Sequence, residues 1–547
     1  MFKIKPRKGL IIRDPETFEV LAENGEEKPR TSYWLNHLKN GDVELVETKS
    51  RSRGEKIMTI SYNEIPNAIR VPLAYIEFDN TQATSGTPAI LHKVLMLGTK
   101  LASGSAVAGQ AVRVLNVSQA KQLFGRGSQL ARMVEVFKQH NTTLDLWVLP
   151  LDENSAGSKA TGKIKLTGTA TQAGVLNVMI AGVNFKQSVN IGDTAAVLAK
   201  KLQKLIALNQ DIVVSAEVDS SAEDSINLTC RFKGECGNEI DIRTNYYSGE
   251  TYPAGISAEI TKMAGGSVNP DMTTAITGFG AEWWNYLISP FTDTESLNAL
   301  RTELVKRWGP LQQIDGICFM AKGGTHAQVT TFAEHRNDHL FSVMATNATP
   351  QPAYEWATAY CAVAANSLSI DPARPVQTLV MDLLPPTMSD RWDLAARNTL
   401  LYSGLSTYTV NANSQPQIET AITMYRKNSF GEMDESYLYI ETIATLSYLR
   451  YAIRNRITSK FPRYKLADDG IRVAPGQKVV TPNVIRNELL ALFTELEYVA
   501  LVENFEAFKK TLIVERDQNN RCRLNVLSGE DLVNQFRIYA HAIQYRL

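Results

Sequence analysis

The chain has 547 residues, and 57 Lys and Arg stand against 57 Asp and Glu, so its formal charge is zero and its sequence pI is near 7.1. At roughly 150 residues per domain this length calls for three or four folding units, each able to bury a core, and 44% hydrophobic residues exclude general disorder. Neutrality gives no global attraction to nucleic acid or anionic lipid, and apolar runs such as 360–365 stop far short of the ~18 residues a membrane-spanning helix needs, so neither nucleic acid binding nor direct membrane insertion is expected.

Cysteine use and the first residues point the same way. Five scattered cysteines and an opening Met1-Phe2-Lys3-Ile4-Lys5-Pro6 without an apolar leader lead us to expect a reduced, cytoplasmic protein. Cys230 and Cys236 lack zinc-knuckle spacing and read as small core residues.

In chain order, residues 1–57 form a small unit. Strands are expected at 9–13 and 18–21 around an Asp14-Pro15 turn, then Trp34, Leu35 and Leu38 at helical spacing, then an Asn40-Gly41 turn into 43–46. A polar linker, 49–56, precedes Met58, which could itself serve as a start. The text at 69–78 is rich in strand formers, and Pro72 removes one ladder donor, which suits an edge strand or an arm. A strand at 94–98, a helix at 129–139 and a strand at 144–148 give a βαβ signal.

Residues 160–266 read as an inserted, mostly β module. It holds strands at 163–166, 175–180, 213–218, 226–230 and 240–243 and one helix at 194–208, with Leu198, Leu202, Leu205 and Asn209 on one face. Then α/β text returns. Leu297, Leu300, Leu304 and Trp308 share a helical face closed by Gly309-Pro310, and strands follow at 314–320 and 378–381. Long helices are expected at 436–460 and 482–497, the second opened by Thr481 and Pro482. Strands at 512–515 and 522–526 flank a polar turn, and 536–542 alternates as a final strand.

Most catalytic patterns fail on their surroundings. Gly157-Ser158-Lys159-Ala160-Thr161-Gly162-Lys163 has phosphate-loop spacing, but Ile164 replaces the Ser or Thr, and the following residues alternate like a strand where a helix is required. His335 and His339 are four apart and could share a helix face, yet no third zinc ligand accompanies them. No Gly-x-Ser-x-Gly occurs, although Gly104-Ser105 and Gly323-Gly324-Thr325-His326 supply the residue types for a serine hydrolase. Gly125-Arg126-Gly127-Ser128 before a helix reads as an anion site or, equally, as a capped turn. The acid-free stretch holding Arg450, Arg454, Arg456, Lys460, Arg463 and Lys465 reads either as a solvated helix end or as a basic face docking on an acidic partner surface.

Several segments together resemble contractile tail sheath proteins of the Mu-like phage type. They are Ile69-Arg70-Val71-Pro72-Leu73-Ala74-Tyr75-Ile76-Glu77-Phe78-Asp79, Gly125-Arg126-Gly127-Ser128-Gln129-Leu130-Ala131 and Asn245-Tyr246-Tyr247-Ser248-Gly249-Glu250, then Arg307-Trp308-Gly309-Pro310, 442–450, Phe461-Pro462-Arg463-Tyr464-Lys465-Leu466-Ala467 and Leu532-Val533-Asn534-Gln535-Phe536-Arg537. The first 57 residues are similar to a small uncharacterised family encoded beside such sheath genes, through Lys5-Pro6-Arg7, Arg13-Asp14-Pro15, Tyr33-Trp34-Leu35 and Gly41-Asp42-Val43.

The resemblance implies a mixed α/β, multidomain sheath fold. Its parts would be an accessory module (1–57), an N-terminal linker and arm (58–82), a core of subtilisin-like topology in two parts (83–159 and 267–410), the inserted β domain (160–266), a C-terminal domain (411–530) and a C-terminal arm (531–547). It implies a homo-oligomer of six-membered rings stacked helically around an inner tail tube, with a baseplate and a tail terminator as further partners, in a virion tail assembled in the host cytoplasm. Arms would add strands to neighbouring subunits through Val71, Leu73, Tyr75, Ile76 and Phe78 at one end and Phe536, Ile538, Tyr539, Ile543 and Tyr545 at the other. No catalytic, cofactor or metal residue is expected. The alternative from a different class is a serine-type hydrolase using the α/β core.

Overall fold

The computed structural model describes residues 2–45, apart from 9, 16, 18 and 30, and residues 90–547, apart from 473 and 475. The chain divides into two compact units, residues 1–86 and 87–547.

In the first unit, strand Phe2–Pro6 lies between Glu26–Lys28 and Val43–Leu45 in an antiparallel sheet. Helix Ser32–Lys39 adds the buried Trp34 to a core of Ile4, Leu21 and Val43. Of the strands expected at 9–13 and 18–21, the described residues keep a single bridge between Arg13 and Val20.

The second unit is organised by a six-stranded sheet in the order Phe341–Thr346, Ile317–Gly323, Tyr286–Ile288, Lys93–Thr99, Asp145–Leu151, Val112–Arg113. All pairs are parallel except the last. Parallel strands are covered on both faces and read as apolar text, as Val94 to Leu97 do here and as Phe341 to Ala345 do apart from Ser342, all of them buried. Helices Gln129–His140 and Ala353–Ile370 pack on each other and on this sheet. The second carries the apolar run 360–365, apolar on nearly every side because it is enclosed. Among the described residues no helix is long and apolar enough to cross a membrane. The strand expected at 378–381 is absent, and only a Val380–Gln417 bridge remains. Thr378 sits at φ 67°, a left-handed conformation that cannot continue a strand.

Between Leu151 and Tyr286 the chain builds a separate set of sheets. One is antiparallel, in the order Val214–Asp219, Ala222–Lys233, Lys159–Gly168, Ile256–Ala264, and the other joins Ile242–Thr244, Gly174–Ile180 and Val183–Val189. Helix Ala195–Leu208 packs across them through Leu198, Leu202 and Ile206, whereas Asn209 falls at its C-terminal cap, off the face expected to carry it. Length alone suggests a separate core here. Instead the buried residues of these sheets run continuously into those of the central sheet.

The joint between the two explains that continuity. Gly127, at φ 74°, brings the backbone so close that a Cβ would lie 2.7 Å from the Ile212 carbonyl and from the Arg231 side chain. Ser128 caps the next helix by accepting from the Ala131 N–H at 3.0 Å. Arg126 grips Asp211 with two hydrogen bonds, at 2.8 and 3.0 Å, and Lys121 adds a third at 2.9 Å. The Gly125-Arg126-Gly127-Ser128 loop is therefore an internal clamp, with its cation already paired. Deeper in, Arg132 donates to both carboxylate oxygens of the fully buried Glu355, at 2.8 and 3.1 Å, and Gln351 donates to the same carboxylate at 3.2 Å.

The C-terminal region has its own core. Helices Ile440–Lys460 and Pro482–Tyr498 share Leu449, Leu489, Leu492, Phe493 and Phe508. Its sheets are small: Ile513–Arg516 with Leu524–Leu527, Val502–Glu503 with Asp531–Leu532, and Lys465–Leu466 with Val479–Val480.

Removing one member of a buried ion pair strands the other charge. Glu355→Ala is expected to destabilise the second unit by about 3–5 kcal/mol, read as a fall in the urea midpoint. The Arg126 hydrogen bonds, first among several contacts, hold the Asp211 carboxyl at about 2. With its folded value depressed, its contribution is complete above about pH 4 and is lost as pH falls toward 2. Asp211→Asn therefore flattens the dependence of unfolding midpoint on pH in that window; an unchanged slope would contradict the clamp.

Candidate intersubunit site

The residues that could carry chemistry are occupied with structural work. Lys163 lies within strand Lys159–Gly168 and bonds Asp219 at 2.7 Å, so its loop opens no helix and cradles nothing. Helix His326–Glu334 ends before His335, so His335 and His339 do not share a helix face. The ring of His339 lies instead among Trp308, Tyr425 and Tyr437, and burial lowers its basicity. Ser105 donates to the Gln122 carbonyl, and the His326 ring meets the Ala396 carbonyl. Among the described residues no histidine ring nitrogen meets a serine hydroxyl, and no group of three His, Cys, Asp or Glu could hold a metal. Cys230, Cys236, Cys318 and Cys361 are buried free thiols, and Cys522 is exposed. Burial pushes the Cys230 thiol up to about 12, leaving it inert as a nucleophile.

The features without an internal explanation are at the surface. Phe536, Ile538, Tyr539, Ile543 and Tyr545 are all exposed, Ile538 at 85% and Tyr545 at 80%. The expected strand over 536–542 is not formed within one chain. The alternating text is that of a strand, but a strand needs an edge to pair with, and this segment meets none among the described residues. The partner residues of the other arm, Val71, Leu73, Tyr75, Ile76 and Phe78, lie outside the described residues. Nearby in sequence, the hairpin Ile513–Arg516 with Leu524–Leu527 is a two-stranded sheet with Ile513, Val526 and Leu527 exposed. Its Val514 and Leu524 pack on the C-terminal core, while its outer edges are unpaired among the described residues.

The six cations of the acid-free stretch do not make one face. On helix Ile440–Lys460, Arg450 and Arg454 lie on one side and Arg456 and Lys460 on another, as steps of four and six residues dictate. Arg450 stacks on Trp308, 4.7 Å from the ring centroid, donates to the Trp308 carbonyl at 2.6 Å and pairs with Asp315. Arg456 pairs with Glu488 and Glu495, and Lys460 with Glu488. Lys465 donates to Gln477. Arg454 and Arg463 are exposed and have no ion pair among the described residues. The acids that answer the stretch, Asp315 and, on helix Pro482–Tyr498, Glu488 and Glu495, are too distant in sequence for a local reading of charge to include them.

Comparison with known proteins adds findings of three kinds. Residues 265–424 match the phage tail sheath protein central domain, residues 432–546 the phage tail sheath C-terminal domain, and residues 4–49 a family of unknown function. The chain is 73% identical to the Mu-like prophage FluMu tail sheath protein of Haemophilus influenzae over 490 residues, 90% of this chain and 100% of that protein. A further 53 residues, 10% of this chain, are 72% identical to the Mu-like prophage FluMu protein gp38 of the same organism and cover 84% of it. Among solved structures, a sheath tail protein of Listeria innocua aligns with a TM-score of 0.45 at 14% identity, covering 83% of this chain and 95% of its own.

The split of the basic stretch is testable by charge reversal. Arg456→Glu places an anion against Glu488 and Glu495 and is expected to lower subunit stability by about 2 kcal/mol, whereas Arg454→Glu stays within about 0.5 kcal/mol of the parent, both read by chemical unfolding.

Proposed function

The chain belongs to the phage tail sheath family, and from that membership we propose that its subunits polymerise around an inner tail tube and contract to drive the tube through a host envelope. The observation that carries the polymerising part of this reading is the exposed tail from Ile538 to Leu547, unpaired among the described residues, close in sequence to two-stranded sheets. A soluble subunit gains nothing from such a tail alone. Laid along a neighbour's edge, each backbone hydrogen bond contributes about 1 kcal/mol net, and many arms joined in one lattice act together.

The finer features follow the same reading. The subunits form six-membered rings stacked helically, with the baseplate at one end and a tail terminator at the other, in a virion tail assembled in the host cytoplasm. The central sheet and its helices correspond to the core of subtilisin-like topology, divided at 83–159 and 267–410. The inserted sheets correspond to 160–266, the C-terminal domain to 411–530 and its arm to 531–547. Residues 69–78 serve as the opposite arm. Within the basic stretch, docking falls to Arg454 and Arg463, whose charges are not answered internally. Contraction is a rigid-body change between two packings, and the buried clamp around Arg132 and Glu355 suits a body that must move as one piece. Residues 1–57 serve as an accessory module. The geometry around Ser105 and His326 gives a hydrolase no support.

Negative-stain microscopy of the purified chain is expected to reveal rings or tubes. Deleting residues 536–547 should leave a subunit with unchanged secondary structure by circular dichroism that stays unassembled, and tubes at undiminished yield would overturn the arm assignment.

A further inference from the structure

The C-terminal segment is held by the body up to one residue and released after it. Leu532 pairs with Val502, and the Val533 N–H donates to the Leu501 carbonyl at 3.3 Å. Gln377 donates to the Phe536 carbonyl at 3.5 Å. Arg537 then turns inward, its side chain only 12% exposed, while every residue from 538 to 547 is exposed. Its guanidinium stacks on the Tyr439 ring at 4.0 Å and lies 2.9 Å from the carboxylate of Glu441, a residue with no solvent exposure. Glu441 sits in the first turn of helix Ile440–Lys460, and its other oxygen accepts the Val376 N–H at 3.0 Å. One arginine thus ties together the tail, the start of the longest helix in the C-terminal region and the loop at 376.

The quality of this contact is informative. The Arg537 nitrogens are buried, yet none makes a directed hydrogen bond among the described residues; the approach to Glu441 is close but off the hydrogen-bond line. A purely structural buried arginine normally has its donors satisfied. Here a flat ring contact and an ion pair fix the position of the chain, with fewer directed bonds than a locked core site would have.

We propose that Arg537 is the pivot of the C-terminal arm, a positioning residue that sets where the arm leaves its own subunit and hence which part of a second copy residues 538–547 reach. Extended, those ten residues span up to about 33 Å. The proposal rests on the sheath reading for the identity of the second copy, but not for the pivot. With the pivot intact, only residues beyond it need ordering when the arm docks. With it broken, residues 534–537 must be ordered as well, and docking weakens accordingly.

The test uses the full chain in a Cys522→Ser background, in which the remaining cysteines are buried. A spin label is placed at Gln535→Cys or at Ala540→Cys, and assembly is followed by sedimentation. In the parent, the label at 535 is immobile and the label at 540 is mobile. Arg537→Ala should make 535 as mobile as 540 and raise the concentration needed for assembly about tenfold or more, with the far-ultraviolet spectrum unchanged. Arg537→Lys, which keeps the charge without the flat stack, should fall between the two. Should Arg537→Ala fail to fold, Glu441→Gln carries the same expectation. A label at 535 that stays immobile in these variants overturns the pivot, as does assembly at the parental concentration once 535 is freed. If the parent itself never assembles, the sheath reading fails, and the two label positions still decide where the chain is held.

Discussion

An extended segment with apolar side chains and unpaired backbone groups is unfinished until a strand edge is brought to it. Residues 538–547 are in that condition among the described residues of a single chain, and the outer edges of the small sheets of the C-terminal region are unpaired there too. Among the described residues neither completes the other: Arg537 fixes the tail beside Tyr439 and Glu441, and every residue beyond it is exposed. Assembly between copies then becomes the way in which the fold is finished, and the polymer is a consequence of what one chain leaves open.

The rest of the second unit supplies the opposite property. Its α/β sheet and the inserted sheets share one apolar core, the partly exposed Arg126 and Lys121 reach across the seam to Asp211, and Arg132 on the buried Glu355 joins the two helices that cover the central sheet. Buried ion pairs add little net stability compared with apolar packing, but they tolerate no half-broken state. The Arg132–Glu355 pair therefore favours two helices that move as one piece, and the continuous apolar core carries the inserted sheets with them. The neutral total of 57 charges of each sign fits the same picture, since identical subunits with a large net charge would repel one another when stacked.

Much of this was legible in the sequence. The 3.6-residue periodicity at Leu297, Leu300 and Leu304 marks helix Thr294–Trp308, and the Thr481-Pro482 start marks helix Pro482–Tyr498. Elements that depend on distant partners were not. The strand Tyr286–Ile288 is three residues long and exists because strands on both sides hold it. Thr378 reads as a strand former and is turned aside by its backbone conformation. The helical spacing of Trp34 and Leu38 marks helix Ser32–Lys39, whereas Phe2–Pro6 offers only two apolar residues, Phe2 and Ile4, before Pro6, too short an alternation to single out. At the candidate site, the alternation from Phe536 onward was visible, but the pivot was not. Arg537 and Glu441 stand 96 positions apart, and nothing local announces that a cation in an apolar strand pattern turns inward to a helix start.

The central claim is that residues 538–547 are completed by a second copy. Hydrogen exchange measured at these amides in free subunits and in assembled particles tests it most directly. The account predicts rapid exchange in the free subunit and strong protection from Ile538 onward after assembly. Equally rapid exchange in both states would contradict it.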